Sequence, residues 1–183
     1  GNPLPREVVR IDLENQEGEM HFKGDVSSGS DTTFTINVTD KSAPAPTDPE
    51  GRNAVWSNYE AVWHLDENPA GASAAKDSTG NGYDASFNGG LDETDEAESP
   101  LGGGVLLEDD QYLAPAGPDL KGLRDGLQFE AWFRTGSDGI IASWDRNEQF
   151  RMEVGGDRNQ GDLGTSYQYD NSSTDDDLND TST

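Results

Sequence analysis

Two acidic stretches carry the oxygen donors that a hard cation requires. Asp77, Asn81 and Asp84 stand around two glycines, and Glu108, Asp109 and Asp110 are consecutive. Calcium takes about six to eight oxygens, which turns dense in Asp, Asn and backbone carbonyls supply. Calcium is therefore the expected cofactor, although the spacing of an EF-hand is absent. Acid–base and nucleophilic chemistry finds less. The only histidines, His21 and His64, lie far apart with no paired zinc motif, and His64, beside Trp63, reads as a packed or hydrogen-bonded strand residue. No serine has the Gly-x-Ser-x-Gly surroundings that expose a nucleophile. The chain has no cysteine, so disulfides and thiolate chemistry are excluded. A glycosidase needs two carboxylates about 5 to 10 Å apart. With 37 acidic residues some pair meets that distance by chance, so proximity alone does not mark a catalytic pair. The expectation is a non-enzyme with no catalytic residue.

The charge bounds the partners. Thirty-seven acidic residues against 12 basic ones leave the 183-residue chain at a formal charge of −25. A surface this anionic repels phosphate, which excludes nucleic acid as a partner. No stretch approaches the ~20 apolar residues of a spanning helix, so no transmembrane segment is expected. High charge with 31% hydrophobic residues fits either disorder or a fold adapted to molar salt. Lysine occurs only at Lys23, Lys41, Lys76 and Lys121, fewer than the arginines, and four Trp, five Tyr and six Phe supply core pieces. The aromatic content favours a folded, halophilic protein. Asn37, Asn171 and Asn179 open glycosylation triplets, usable only outside the cytoplasm, although such triplets also arise by chance in a chain rich in Asn, Ser and Thr. The start lacks Met and a leader, as in a mature secreted product or a cut fragment.

The elements that must position these groups are strands. Val9, Ile11 and Leu13 alternate with polar residues, as do Phe34, Ile36 and Val38, then Leu127, Phe129, Ala131 and Phe133, and finally Phe150, Met152 and Val154. Trp132 then falls on an outer face. Residues 61–65 and 104–107 are apolar on both sides, as in covered strands. With 22 Gly and 9 Pro between them, short strands predict an all-β sandwich or barrel. Residues 43–53, rich in proline, form a linker that sets off an N-terminal β arm at 1–42. The arm has little core of its own and must dock on the rest of the chain or on a neighbour. Residues 170–183 are acidic and, taken alone, expected to be disordered.

Val55-Trp-Ser-Asn-Tyr-Glu-Ala-Val-Trp-His-Leu-Asp-Glu67, the turn Asp77-Ser-Thr-Gly-Asn-Gly-Tyr-Asp84 and the stretch from Gly103 to Leu113 together resemble the laminin-G-like group of concanavalin-A-like domains. Leu127 to Phe133 and Gly139 to Asp145 look like that group's next two strands, and residues 1–53 look like the last part of the small β domain that often precedes it in surface proteins of salt-loving microbes. The resemblance implies a jelly-roll β-sandwich at 54–169, metal at Glu108, Asp109 and Asp110, and saccharide stacking on rim aromatics, here Trp132, Tyr167 and Tyr169. Relatives add several strands after the one at Phe150, so the sandwich looks incomplete. Its open edge requires cover, which Val9, Ile11 and Leu13 offer as a donated strand, in cis or to the next molecule; a fragment cut for expression is the alternative.

The expected protein is thus an extracellular or cell-surface module for adhesion to glycans or other surface proteins. The second reading is a subunit of a filament, a homo-polymer built by strand donation, and a carbohydrate-active enzyme is a more distant third. If the acidity is an adaptation to salt, lowering salt below roughly molar concentration unmasks carboxylate repulsion and loosens the fold. Near-UV circular dichroism across a salt series measures this, and a flat profile contradicts it.

Overall fold

The structure, a computed structural model, describes residues 2–38, 42–117, 127–144, 150–155, 163–167 and 176–179, with backbone alone at 144, 164–167 and 176–179. It is mostly strand, as expected of an all-β chain, and its sheets are small and unclosed. The chain divides into two units, Gly1–Pro118 and Asp119–Thr183. The boundary therefore falls beyond the proline-rich linker, and the arm shares a unit with the segments that follow it.

In the first unit, β1 (Arg6–Asp12) and β2 (Glu17–Phe22) form an antiparallel hairpin. Asp12 closes its turn, with Oδ1 accepting from the N–H groups of Glu14 and Asn15 at 2.9 and 3.0 Å. The hairpin is anchored on the far end of the linker itself, where Arg6 N–H donates to Glu50 O at 2.9 Å. There the one-turn helix α1 (Arg52–Val55) begins. It is followed by β3 (Ala74–Ala75) and β4 (Ala85–Asn88), then by a 3-10 turn at Glu93–Asp95 leading into the hairpin of β5 (Glu96–Ser99) and β6 (Gly102–Val105), and finally by β7 (Tyr112–Pro115). The order β3-β4-β7 makes a three-stranded antiparallel sheet. The second unit is an antiparallel meander of β8 (Gly139–Trp144), β9 (Phe150–Val154), β10 (Leu163–Tyr167) and β11 (Asp176–Asn179).

Several expected elements differ. Val8 pairs with Met20 and Arg10 with Glu19, so Val9 is an extra residue in β1. An added residue reverses the alternation that follows it. Glu7 and Arg10 consequently share the covered face, Val9 is half-buried, and Ile11 and Leu13 are 64% and 69% exposed. Residues 31–38 and 127–135 alternate in sequence but join no ladder; Ile36 and Val38 are exposed, and Phe34 instead packs on Phe22 with ring centroids 4.9 Å apart. Alternation makes a strand only where a neighbour pairs with it. At residues 61–65 the ladder is reduced to one bridge, Trp63 to Asp77. In the acidic tail the reverse holds, because β11 pairs with β10.

Among the described residues the buried apolar side chains are small: Val55, Ala74, Ala75 and Ala85. Asp77, Ser78, Thr79 and Asp95 are buried beside them. The segments are held at close range through β6, where a Cβ on Gly103 would come within 2.5 Å of Asp66 Cα and 2.9 Å of Leu65 O. Both are main-chain atoms that a rotamer change cannot move. Gly103→Ala should therefore cost about 1–3 kcal/mol, the usual range for overpacking, as measured by urea unfolding at constant salt.

Candidate functional site

The only two histidines of the chain, distant in sequence, meet in the first unit. His21 lies in β2 two residues after Glu19, so both project from one face of that strand. His64 comes from the bridged segment beside Trp63. The two imidazole rings lie with centroids 4.8 Å apart and planes 24° from parallel, and the Trp56 indole tilts against both at 5.1 and 5.7 Å. Carboxylates complete the cluster. His21 Nε2–H donates to Glu19 Oε1 at 2.7 Å, and His64 Nε2–H to Glu7 Oε2 at 3.1 Å. His64 Nδ1 faces Glu19 Oε1 at 3.6 Å. Glu7 also accepts the Trp56 indole N–H and a hydrogen bond from Ser78. The side chains of His64, Glu7 and Glu19 are only 10, 10 and 13% exposed.

The surroundings shift two of these groups, His64 and Glu7. Burial alone would lower the His64 pKa, but the Glu7 hydrogen bond and charge, with Glu19 and Asp66 nearby, outweigh it and raise the value. Burial likewise pushes Glu7 up, whereas its bonds from His64, Trp56 and Ser78 and the His64 charge bring it below the ordinary carboxylate value. Glu19, His21 and His64 each offer a ligand atom, all within 4.8 Å of one another. Beside them opens a groove of about 280 Å³ whose lining includes His21, Lys23, Trp56, Asn58 and Tyr59. Tyr59 stands edge-on to Trp56 at 5.4 Å.

The residues expected to bind calcium lie in two separate loops. Asp77 is buried and both its oxygens are engaged: Oδ1 accepts from the N–H groups of Val62 and Thr79 at 3.0 and 2.9 Å, and Oδ2 from the Thr79 hydroxyl at 2.6 Å and Tyr83 N–H at 2.9 Å. Asp84 accepts from Lys76 Nζ at 2.6 Å and from Asp77 N–H at 3.0 Å. Asn81 spends its amide on Glu60 O at 2.9 Å. This turn is a hydrogen-bonded staple centred on Asp77, whose two oxygens accept from protein donors. Glu108, Asp109 and Asp110 lie exposed in the loop between β6 and β7, apart from that turn in sequence, and Asp110 takes a left-handed φ of 67°.

Of the expected ligand-stacking aromatics, Trp132 is 73% exposed, in a stretch outside any strand. Tyr167 ends β10 with only its backbone described, and Tyr169 lies outside the described residues. Asn37 is exposed, Asn171 lies outside the described residues, and Asn179 ends β11. The cluster of Glu7, Glu19, His21, Trp56 and His64 was not signalled by spacing. Its one local sign was Glu19-Met-His21, two groups of opposite tendency on one strand face. No family model matches the chain, and neither curated proteins nor solved structures give a match.

The Asp77 staple fixes a pH dependence. Burial pushes its carboxyl up, but four hydrogen bonds outweigh this and hold the pKa below the ordinary 3.8. A depressed carboxylate stabilises the fold above its unfolded pKa and loses that contribution as pH falls through the folded value. Asp77→Asn should remove this acid limb and leave a buried donor facing Thr79 or Tyr83, at a cost of about 1–3 kcal/mol at neutral pH. Unfolding of the two proteins from pH 6 down to pH 2 reads both effects, and parallel curves would contradict the assignment.

Proposed function

We propose that the chain is a non-catalytic, saccharide-binding module of the concanavalin-A-like kind that serves adhesion outside the cell or at its surface. The observation that supports this reading is the groove beside the histidine cluster. Trp56 and Tyr59 present aromatic surface, Lys23 and Asn58 add polar groups, and flat rings flanked by a few hydrogen-bonding side chains are what pyranose faces require. Trp56 is held by its own bond to Glu7, so little order has to be gained on binding. The stacking role given to Trp132 passes in this reading to Trp56. No helix among the described residues is long and apolar enough to cross a membrane.

A second reading, assembly into a filament, rests on the outward face of β1. Val8, Ile11 and Leu13 are 47, 64 and 69% exposed. Beyond the Arg6 bond to Glu50, β1 pairs on one side only among the described residues. Such an edge accepts another strand.

One set of measurements separates the two. A glycan array at molar salt, followed by tryptophan-fluorescence titration of the best hit with and without added calcium, should give saturable binding that weakens at least about tenfold in Trp56→Ala, the loss expected of a stacked aromatic anchor. Light scattering should then show monomers stabilised by the sugar. A uniformly blank array, with filaments that disappear in Ile11→Lys, would replace the first reading with the second.

A further inference from the structure

We propose that Glu19, His21 and His64 form a zinc site, with Glu7 as the carboxylate that positions His64. The reasoning starts from hydrogen-bond polarity. A carboxylate only accepts, so the 3.1 Å contact to Glu7 places a proton on His64 Nε2. In the neutral ring Nδ1 then carries a lone pair, and it faces Glu19 Oε1 at 3.6 Å, acceptor against acceptor. Something positive belongs between them.

The donor set suits zinc. Two imidazoles and one carboxylate are ordinary zinc ligands, and such three-ligand sites leave a fourth position for water or another group. Ligand atoms about 2.0–2.1 Å from a tetrahedral zinc lie about 3.4 Å from each other. The Glu19 to His64 separation of 3.6 Å already matches, while the 2.7 Å bond between His21 and Glu19 must open to admit the ion. Beyond the ligands the pattern continues. A metal-bound histidine characteristically gives its second ring N–H to a carboxylate, which sets the tautomer and orientation. His64 does so to Glu7, itself fixed by Trp56 and Ser78.

Charge agrees. Glu7, Glu19 and Asp66 bear on His64, Glu19 also bonds His21, and Arg10, whose Nε is buried without a hydrogen-bond partner, approaches Gly102 together with Glu19. With the rings neutral, three carboxylates meet one guanidinium, and a half-buried excess of negative charge calls for a cation. The ion would join β2 of the arm to the His64 segment of the body. This inference is independent of the saccharide reading.

The test uses the full chain, freed of metal with a chelator and kept at molar salt. Isothermal titration with zinc should give one ion per chain, more than about 100-fold weaker in His21→Gln, which removes a direct ligand. Glu7→Gln should cost about 10–100-fold, the usual loss when such an outer carboxylate is removed, and Asp109→Asn, on the exposed acidic loop, should cost nothing. Because the chain has two histidines, nitrogen NMR of the rings reports the site without any substitution. One equivalent of zinc should shift a nitrogen of each ring. Weak uptake of several ions with both rings unmoved, or binding indifferent to His21→Gln and Glu7→Gln in variants that remain folded by circular dichroism, would overturn the proposal.

Discussion

The first unit depends on how acidic side chains of the arm are satisfied by groups of the body. Glu7 and Glu19 leave β1 and β2 and meet His64 and Trp56, which belong to segments beyond the linker. The apolar contribution there is modest, because the buried aliphatic residues among those described are one valine and three alanines, and burial stabilises in proportion to area. Directional bonds therefore carry much of the specificity. Half-buried carboxylates must be answered by donors or cations, and this fixes the hairpin in one seating, whereas a smooth apolar contact would let it slide.

The same economy governs the turns. Asp77 accepts four hydrogen bonds and draws Val62, Thr79 and Tyr83 around one carboxylate, while Asp95 accepts from Asp92 N–H at 2.8 Å and from Gln111 Nε2 at 3.3 Å. A chain with a formal charge of −25 thus uses two kinds of acid. Exposed carboxylates repel one another through solvent and respond to salt over distances of about 10 Å or less. Buried ones are satisfied within hydrogen-bond distance and are screened far less. Salt sensitivity and acid sensitivity therefore report different parts of the molecule.

What could be read from the sequence follows the range of each interaction. The strands at Val9, Gly104 and Phe150 were legible because alternation or an apolar run coincides with a paired ladder. Phe34 to Val38 alternates just as well and pairs with nothing described, since a ladder needs a partner that periodicity does not specify. The acidic turn from Asp77 to Asp84 was recognised as a unit, but acceptor-rich composition alone does not reveal whether ligands or backbone N–H groups answer the carboxylates. The histidine cluster was least legible. His21 and His64 come together only when the arm docks, and that contact is set by tertiary geometry.

One inserted residue links the two faces on which the functional readings rest. Were Val9 to take its own place in the ladder instead of bulging out, Glu7 and Ile11 would lie on the same side of β1, and Arg10 would point away from the cluster. With it, Glu7 and Arg10 face the body while Val8 and Ile11 face outward. The bulge thus gathers the charged groups around the imidazoles and, by the same step, leaves an apolar row exposed on the opposite side. The two proposed roles, ligand capture in the groove and strand pairing along β1, would consequently use different surfaces of one hairpin. Whatever tightens the hairpin against His64 also fixes that outward row, because both faces belong to the same two strands.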